Sequence, residues 1–413
     1  MQFQKLTFKN AAGQLLAARL DLPLDRKPAA YAIFAHCFTC TKSLNAVVNI
    51  DAALAREGIA VLRFDFTGLG ESEGDFVETG FSSNVTDIIA AAEFLKSEFE
   101  APGLLIGHSF GGAAVLQAAA RIPSAAAVAV IAAPASFSEM TRLLGSSREE
   151  IEAHGEATIA LAGKSFRLGR RFLDDLDGGL MGEAIGGLKK ALLIFHSPID
   201  NIVGIENAAR IFQAAKHPKS FVSLDRADHL LSNRTDSLYV GSVLAAWARK
   251  YIGTLSGLES RKDLADNRVA VRIGKRGYQT EIVANGHSLV ADEPVSAGGA
   301  DTGPSPYDYL VAALGSCTAM TLRMYADRRQ WPLESVEVRL KHQKIHAEDC
   351  QECEAKNIKI DLIEREIDPI GRLSEEQRQK LLEIADKCPV HRTLQSPVAV
   401  KTRLKEGKVR VEQ

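Results

Sequence analysis

The sequence predicts two domains of different class: a mostly parallel, doubly wound α/β domain, then a smaller α+β domain. Three observations predict it. Over residues 1–253, short apolar runs alternate with helical segments. Beyond a polar stretch at 254–265, long alternating strands and separate helices take over. The six cysteines leave 41–316 empty, falling at Cys37, Cys40, Cys317, Cys350, Cys353 and Cys388, so the two ends carry different chemistries.

The first domain follows element by element. The runs at 31–36, 59–66, 103–108, 126–133, 191–196 and 220–225 are short apolar runs of buried-strand type. Helical segments at 44–57, 84–99, 110–121 and 203–215 lie between most of them, and alternating segments at 3–8 and 14–21 add antiparallel edge strands. Residues 134–189 are too long for a simple crossover and read as an inserted cap of helices over the substrate entry. The stretch 254–265 reads as a linker. In 266–413, a meander precedes a long helix at 305–328, strands at 335–346 and 357–367, and a helix opening at Ser374, with Glu376 and Gln377 behind it.

Bulk properties exclude several classes. Of 413 residues, 46% are apolar and 25% charged, with a formal net charge of -2, so no basic surface recruits nucleic acid or an anionic membrane. The N-terminus "MQFQKLTFKN" lacks a signal-peptide core, and no apolar run approaches the roughly 20 residues of a membrane helix. A soluble, cytoplasmic protein is expected. Six cysteines in a chain this long do not make a disulfide scaffold.

"LLIGHSFGGAA" (104–114) sets Gly107-x-Ser109-x-Gly111 between a strand run and an Ala-rich helical run, the context of a strained nucleophile turn. An acid and a histidine are expected downstream, in that order. Asp200 follows the strand at 191–196, and His229 follows the strand at 220–225, both in loops where active sites of open α/β sheets lie. Asp225 and Asp228 compete for the acid role, but Asp228 directly precedes His229 and is poorly placed to orient its ring. Ser109 would attack an acyl carbon, His229 would serve as base, and Asp200 would hold the tautomer.

Residues 1–253 with these motifs resemble the α/β-hydrolase superfamily, and "RFDFTGLGESEG" (63–74) resembles its structural Asp-x-x-Gly-x-Gly-x-Ser loop. The resemblance implies an oxyanion hole made by the N–H of Phe110 and one from the loop after the third strand. There the chain reads His36-Cys37-Phe38-Thr39-Cys40 where relatives often read His-Gly-Phe-x-Gly, which points to Phe38. Cys37 and Cys40 read as residues standing in for glycine and narrowing the space beside the nucleophile, which favours small acyl groups. Oxidation of the C-x-x-C pair as a switch is the other reading.

"GPSPYDYLVAALGSCTAMTLRMYA" (303–326) puts Cys317 on a helix face with Leu310, Ala313, Leu314, Thr321 and Met324. "KCPVHRTL" (387–394) puts Cys388 at or in another helix, broken by Pro389. Taken singly, each cysteine reads as a small buried hydrophobe. Together the segments resemble the OsmC/Ohr family over about 270–405. That resemblance implies an intertwined homodimer that reduces organic hydroperoxides, with Cys317 as peroxidatic thiolate and Cys388 resolving its sulfenic acid, and a thiol reductant closing the cycle. Where its peroxidases carry a glutamate ten residues before the first cysteine, this chain has Tyr307, then Asp308. Arg272 and Arg276 are the candidate activators.

His342, His346, Cys350 and Cys353 have spacings a zinc site could use, yet acidic residues flank the cysteines and a plain loop or a surface disulfide competes. No metal or cofactor is expected. The reading is a serine esterase for small or medium acyl esters fused to a thiol-peroxidase-like dimerisation domain. The alternative is a cofactor-free perhydrolase or haloperoxidase-type hydrolase with a binding or scaffold role for the second domain.

Overall fold

The computed structural model describes residues 2–24, 27–37, 41–136, 141, 147–161, 164–177, 181–252, 269–275, 277–285, 287–346 and 359–404. It divides into two compact units, Met1–Arg272 with Glu281–Leu289, and Ile273–Thr280 with Val290–Gln413. The stretch 254–265 lies outside the described residues.

The first unit is built on an eight-stranded sheet. Its strands are β1 (Gln2–Lys9), β2 (Leu15–Leu22), β3 (Ala30–Ala35), β4 (Ile59–Phe64), β5 (Leu104–His108), β6 (Ala127–Ile131), β9 (Ala191–His196) and β10 (Lys219–Ser223). Their spatial order is β1-β2-β4-β3-β5-β6-β9-β10. The pairs β1/β2 and β2/β4 are antiparallel, and the rest are parallel, as the alternation of strands and helices predicts.

Alternate residues of the central strands enter opposite cores. Ile33, Leu62, Leu105, Val128 and Ile194 face one core with Ile88, Leu95 and Val115 of helices α2 (Phe81–Glu98) and α3 (Phe110–Ala118). Phe34, Val61, Ile106, Ala129 and Leu193 face the other with Ile50, Leu54, Val240 and Leu244 of α1 (Asn45–Arg56) and α8 (Arg234–Ala248). Burial on both faces explains why these strands read as unbroken apolar runs.

The cap differs from expectation. Between helices α4 (Ser147–His154) and α5 (Arg170–Asp177) lies an antiparallel hairpin, β7 (Glu156–Leu161) with β8 (Lys164–Gly169), before the short α6 (Met181–Gly186). Gly155, at φ +84°, ends α4 and starts the hairpin. Ala157 and its partner Leu168 are buried while Thr158 and Arg167 are exposed, a period of two too brief to announce itself among charged residues. Phe172 of α5 stacks on Phe110 at 5.5 Å between ring centroids, and Asp175 accepts hydrogen bonds from Ser82 N–H and hydroxyl at the start of α2.

The second unit contains α9 (Pro306–Arg329), the long antiparallel pair β14 (Leu333–His346) and β15 (Lys359–Gly371), and helices α10 (Glu375–Ala385) and α11 (Pro389–Leu394). The strands β11 (Val269–Ile273), β12 (Thr280–Ala284) and β13 (His287–Ala291) form the predicted meander. Both α9 and α10 open with capping boxes, Ser305 with Asp308 and Ser374 with Gln377. The core here is small, formed by Leu322, Ala326, Leu333, Leu381 and Ala385.

Candidate active site

Ser109 occupies the turn between β5 and α3 at φ 53° and ψ −120°, a conformation costing a non-glycine residue on the order of 1–3 kcal/mol. The turn is held from both sides. Ser109 N–H donates to the Ile131 carbonyl at 2.7 Å, and its carbonyl accepts from the N–H of Gly112 and Ala113. Two glycines are obligatory through close approach. A Cβ on Gly107 would stand 2.3 Å from the Gly111 carbonyl oxygen, and one on Gly111 would stand 2.4 Å from the carbonyl oxygens of Ala35 and His36. The Gly111 contact seats the turn against the exit of β3. Phe110 is the first residue of α3, at the helix end whose N–H groups face away from the helix body.

The structure brings Ser109, His229 and Asp200 into one hydrogen-bonded line. His229 Nδ1 lies 2.8 Å from Asp200 Oδ2, and its Nε2 lies 2.9 Å from Ser109 Oγ. An ionised carboxylate only accepts, so the proton sits on Nδ1 and Nε2 receives the serine hydroxyl. Asp200 Oδ1 accepts from the N–H of Ile202 and Val203. Burial raises the Asp200 carboxyl, but the His229 hydrogen bond and charge, with those two amides, outweigh it and hold the group below the ordinary carboxylate range. Asp225 accepts from the Ser223 hydroxyl and Asp228 from Ser232 N–H, so neither competitor orients the ring.

Two histidines missed in the sequence reading brace this line. His108 Nε2 donates to the His229 carbonyl at 2.7 Å, and burial, then the neighbouring His229 charge, push its pKa down to about 3. It is a neutral strut. His196 donates to the Val203 carbonyl at 2.7 Å and is likewise lowered, chiefly by burial. Its second nitrogen has no protein partner among the described residues. His108 is the x of the first Gly-x-Ser step and His196 ends β9, so both positions were in view as strand termini.

The loop after β3 is gripped at its exit. Lys42 N–H donates to Asp65 Oδ1 at 2.8 Å, its ammonium reaches Asp65 and Glu71, and its carbonyl accepts from buried Arg63. Arg63 also pairs with Asp21 at 2.8 Å. Asp65 is the first residue of the Asp-x-x-Gly-x-Gly-x-Ser loop, and Ser72 closes that loop by donating to the Asp65 carbonyl. Phe38 and Cys40 lie outside the described residues. Cys37 is buried and disulfide-bonded, which corrects its reading as a plain glycine substitute. A two-residue gap between cysteines marks the thiols but says nothing of their oxidation state.

In the second unit, Cys317 is half-buried on α9 and Cys388 is fully buried as the residue capping α11; both are free thiols. The buried stripe of α9 shares only Leu314 with the residues grouped on the Cys317 face. Leu314, Gly315, Thr318, Leu322 and Ala326 are buried, whereas Leu310 and Met324 of the Cys317 face are exposed. Periodicity fixes a stripe, and the small core selects a neighbouring one. Asp308 is engaged by Ser305, whose hydrogen bonds lower its pKa, and Tyr307 stacks on His342 at 4.2 Å.

Arg276 lies outside the described residues, and Arg272 belongs to the first compact unit whereas both cysteines belong to the second. Among the described residues, Arg365 of β15, which sequence reasoning missed, reaches the surroundings of Cys388. Its Nη1 donates to Thr318 Oγ1 at 3.0 Å, and Thr318 Oγ1 lies 3.6 Å from Cys388 Sγ. His342 pairs with Asp361 at 2.9 Å. The other residues considered for zinc, the His346 side chain, Cys350 and Cys353, lie outside the description.

A strained serine turn on a mostly parallel sheet, with acid and histidine on later loops, defines an α/β-hydrolase-type domain. A family model described as "Alpha/beta hydrolase family" matches residues 32–297, and one described as "OsmC-like protein" matches 298–403. The chain belongs to the alpha/beta hydrolase family and carries an OsmC-like domain behind it. The esterase domain of a Rhodothermus marinus protein is 51% identical, covering 61% of this chain and 100% of that one, with a TM-score of 0.53. Est1E from Butyrivibrio proteoclasticus, in a structure with ferulic acid bound, shares the fold at 23% identity and TM-score 0.54, over 60% of this chain and 99% of its own. Mouse (Mus musculus) palmitoyl-protein thioesterase ABHD10, mitochondrial, is 25% identical over 186 residues. That match covers 43% of this chain and 62% of the relative, less than two thirds of its length. Among the described residues no helix is long and apolar enough to cross a membrane.

Proposed function

We propose that the chain is a serine esterase for small or medium acyl esters, joined to an OsmC-like domain that reduces organic hydroperoxides and dimerises. The unbroken Ser109–His229–Asp200 line carries the first half. Ser109 Oγ attacks the ester carbonyl as His229 Nε2 takes its proton. The oxyanion develops beside the Phe110 N–H, with Phe38 as the second donor. His229 then protonates the leaving alcohol and activates water for deacylation, while Asp200 stabilises the imidazolium. Likeness to an esterase domain at 51% identity supports an ester rather than another acyl substrate.

For the second half, the supporting observation is that Thr318, the residue after Cys317, touches Cys388. Cys317 would take oxygen from the hydroperoxide and Cys388 would resolve the sulfenic acid, with a thiol reductant regenerating the pair. Tyr307, Leu310, Met320 and Met324 form an exposed apolar face on α9 that suits a second copy of the chain.

One paired experiment tests both halves. A p-nitrophenyl ester series is run on wild type and Ser109→Ala, and cumene hydroperoxide consumption is followed in wild type and Cys317→Ser. Ester hydrolysis falls by roughly 10⁴-fold or more in Ser109→Ala, and peroxide consumption is lost in Cys317→Ser. Unchanged rates in either variant overturn the corresponding half. Peracid formation outrunning hydrolysis in wild type would assign the serine centre to perhydrolysis instead.

A further inference from the structure

The hydrogen bonds around Cys388 leave little choice about where its proton sits. The Thr318 hydroxyl has one hydrogen and two acceptor sites. It donates to the Leu314 carbonyl at 2.8 Å, one helical turn back. It accepts from Arg365 Nη1 at 3.0 Å. What it offers Cys388 Sγ, 3.6 Å away, is therefore its remaining acceptor site, and the S–H of Cys388 fills it. The sulfur in turn accepts from His391 N–H at 3.3 Å. Cys388 is thus satisfied as a neutral thiol, in a spot where both it and Thr318 are fully buried.

Arg365 is itself fixed. It donates to the Asp386 carboxylate at 2.6 Å and to the Ala385 carbonyl at 3.3 Å, both at the end of α10. A fixed cation beside a hydroxyl that touches a buried thiol is the arrangement needed to ionise that thiol on demand. The hydroxyl can rotate about its C–O bond. Leu314 loses nothing essential, because its carbonyl keeps the helix bond from Thr318 N–H. Turned toward sulfur, the hydroxyl donates to a thiolate, and the Arg365 charge lies one atom behind it.

We propose that Thr318 and Arg365 control the resolving step of the thiol centre: Thr318 as the hydroxyl that touches the reacting sulfur, Arg365 as a positioning residue acting through it. The inference rests on the peroxidase reading above. In that step the Cys388 sulfur attacks the Cys317 sulfenic sulfur. The S–S bond forms, the S–O bond breaks, and the departing hydroxide leaves as water with the proton that Cys388 gave up. The hydroperoxide has already supplied the oxidising equivalents, becoming the alcohol. No further oxidant is needed.

The test uses the full-length protein, reduced, mixed with one equivalent of cumene hydroperoxide and quenched over time. Peptide mass mapping follows dimedone-trapped Cys317 sulfenic acid and the Cys317–Cys388 disulfide separately. Thr318→Val, close to isosteric, is expected to form the sulfenic acid at the wild-type rate and the disulfide about 10- to 100-fold more slowly, the range for a lost hydrogen bond to a charged group. Thr318→Ser restores disulfide formation to within about threefold of wild type. Arg365→Met slows it as Thr318→Val does, and Arg365→Lys recovers part of the rate. Disulfide formation at the wild-type rate in Thr318→Val, or equal slowing in Thr318→Ser, overturns the role of the hydroxyl while leaving the peroxidase reading intact. Absence of Cys317 oxidation in wild type overturns both.

Discussion

Around Ser109, each member of the Ser109–His229–Asp200 line is hydrogen-bonded by neighbours from the same unit, within two cores that cover both faces of an eight-stranded sheet. Around Cys317, the core cluster among the described residues has five buried apolar residues, and the long helix that carries the thiol shows methionines and a tyrosine to solvent. A large unit can hold a strained turn and buried charges such as Arg63 and Asp21 because it buries enough apolar surface to offset them. A small one economises. Among its described residues, Arg365 and Thr318 sit beside Cys388, and α9 carries an exposed apolar face.

The contrast can be broken at the serine centre first. Asp200→Asn keeps the shape of the line but reverses the tautomer it imposes, so kcat for ester hydrolysis falls by about 10⁴-fold with KM little changed. A loss under tenfold would mean that the wiring described here does not reach the chemistry.

The exposed helix face comes next. Met320→Glu with Met324→Glu raises the dissociation constant of the proposed dimer by at least about 100-fold, since each methionine hidden in an interface contributes roughly 1.5–3 kcal/mol. Sedimentation velocity reads this directly, and ester hydrolysis stays within about twofold of wild type. Wild type sedimenting as a monomer at all concentrations would remove the reason for the face.

The smallest effect concerns acid. His36, His108 and His196 all have pKa values lowered by burial from the ordinary 6.5, His108 to about 3. The unfolded chain therefore binds protons that the folded one refuses. Stability is fully present above pH 6.5 and declines as pH falls below it, by at most about 1.4 kcal/mol per pH unit for each group. His108→Gln flattens that decline. Urea midpoints between pH 7.5 and 4.5 measure it, and an unchanged slope in the variant would exclude His108 as a source.

Much of this was legible in the residues. The sheet could be read because strands covered on both faces leave unbroken apolar runs, such as 31–36 and 191–196. The serine line could be read because the strained turn needs glycines at 107 and 111 and because strand order places acid and histidine downstream. The cap hairpin could not, since Ala157 and Leu168 alternate with the exposed Thr158 and Arg167 among charged residues that mask a short period. Arg365 was hidden for a different reason. It stands between Glu364 and Glu366 on an alternating strand, where charge is the rule on the outer face and nothing marks one cation as turned inward. The disulfide at Cys37 is a statement of oxidation state, which no spacing encodes.

Gly111 leaves one more mark on the molecule. Because its bare α-carbon rests against the Ala35 and His36 carbonyls, the distance from the Ser109 turn to the adjoining strand is one backbone thickness. That distance is a gauge set by a missing methyl group. Any side chain placed at position 111 meets that gauge first, because it must displace the end of β3 before the turn can form.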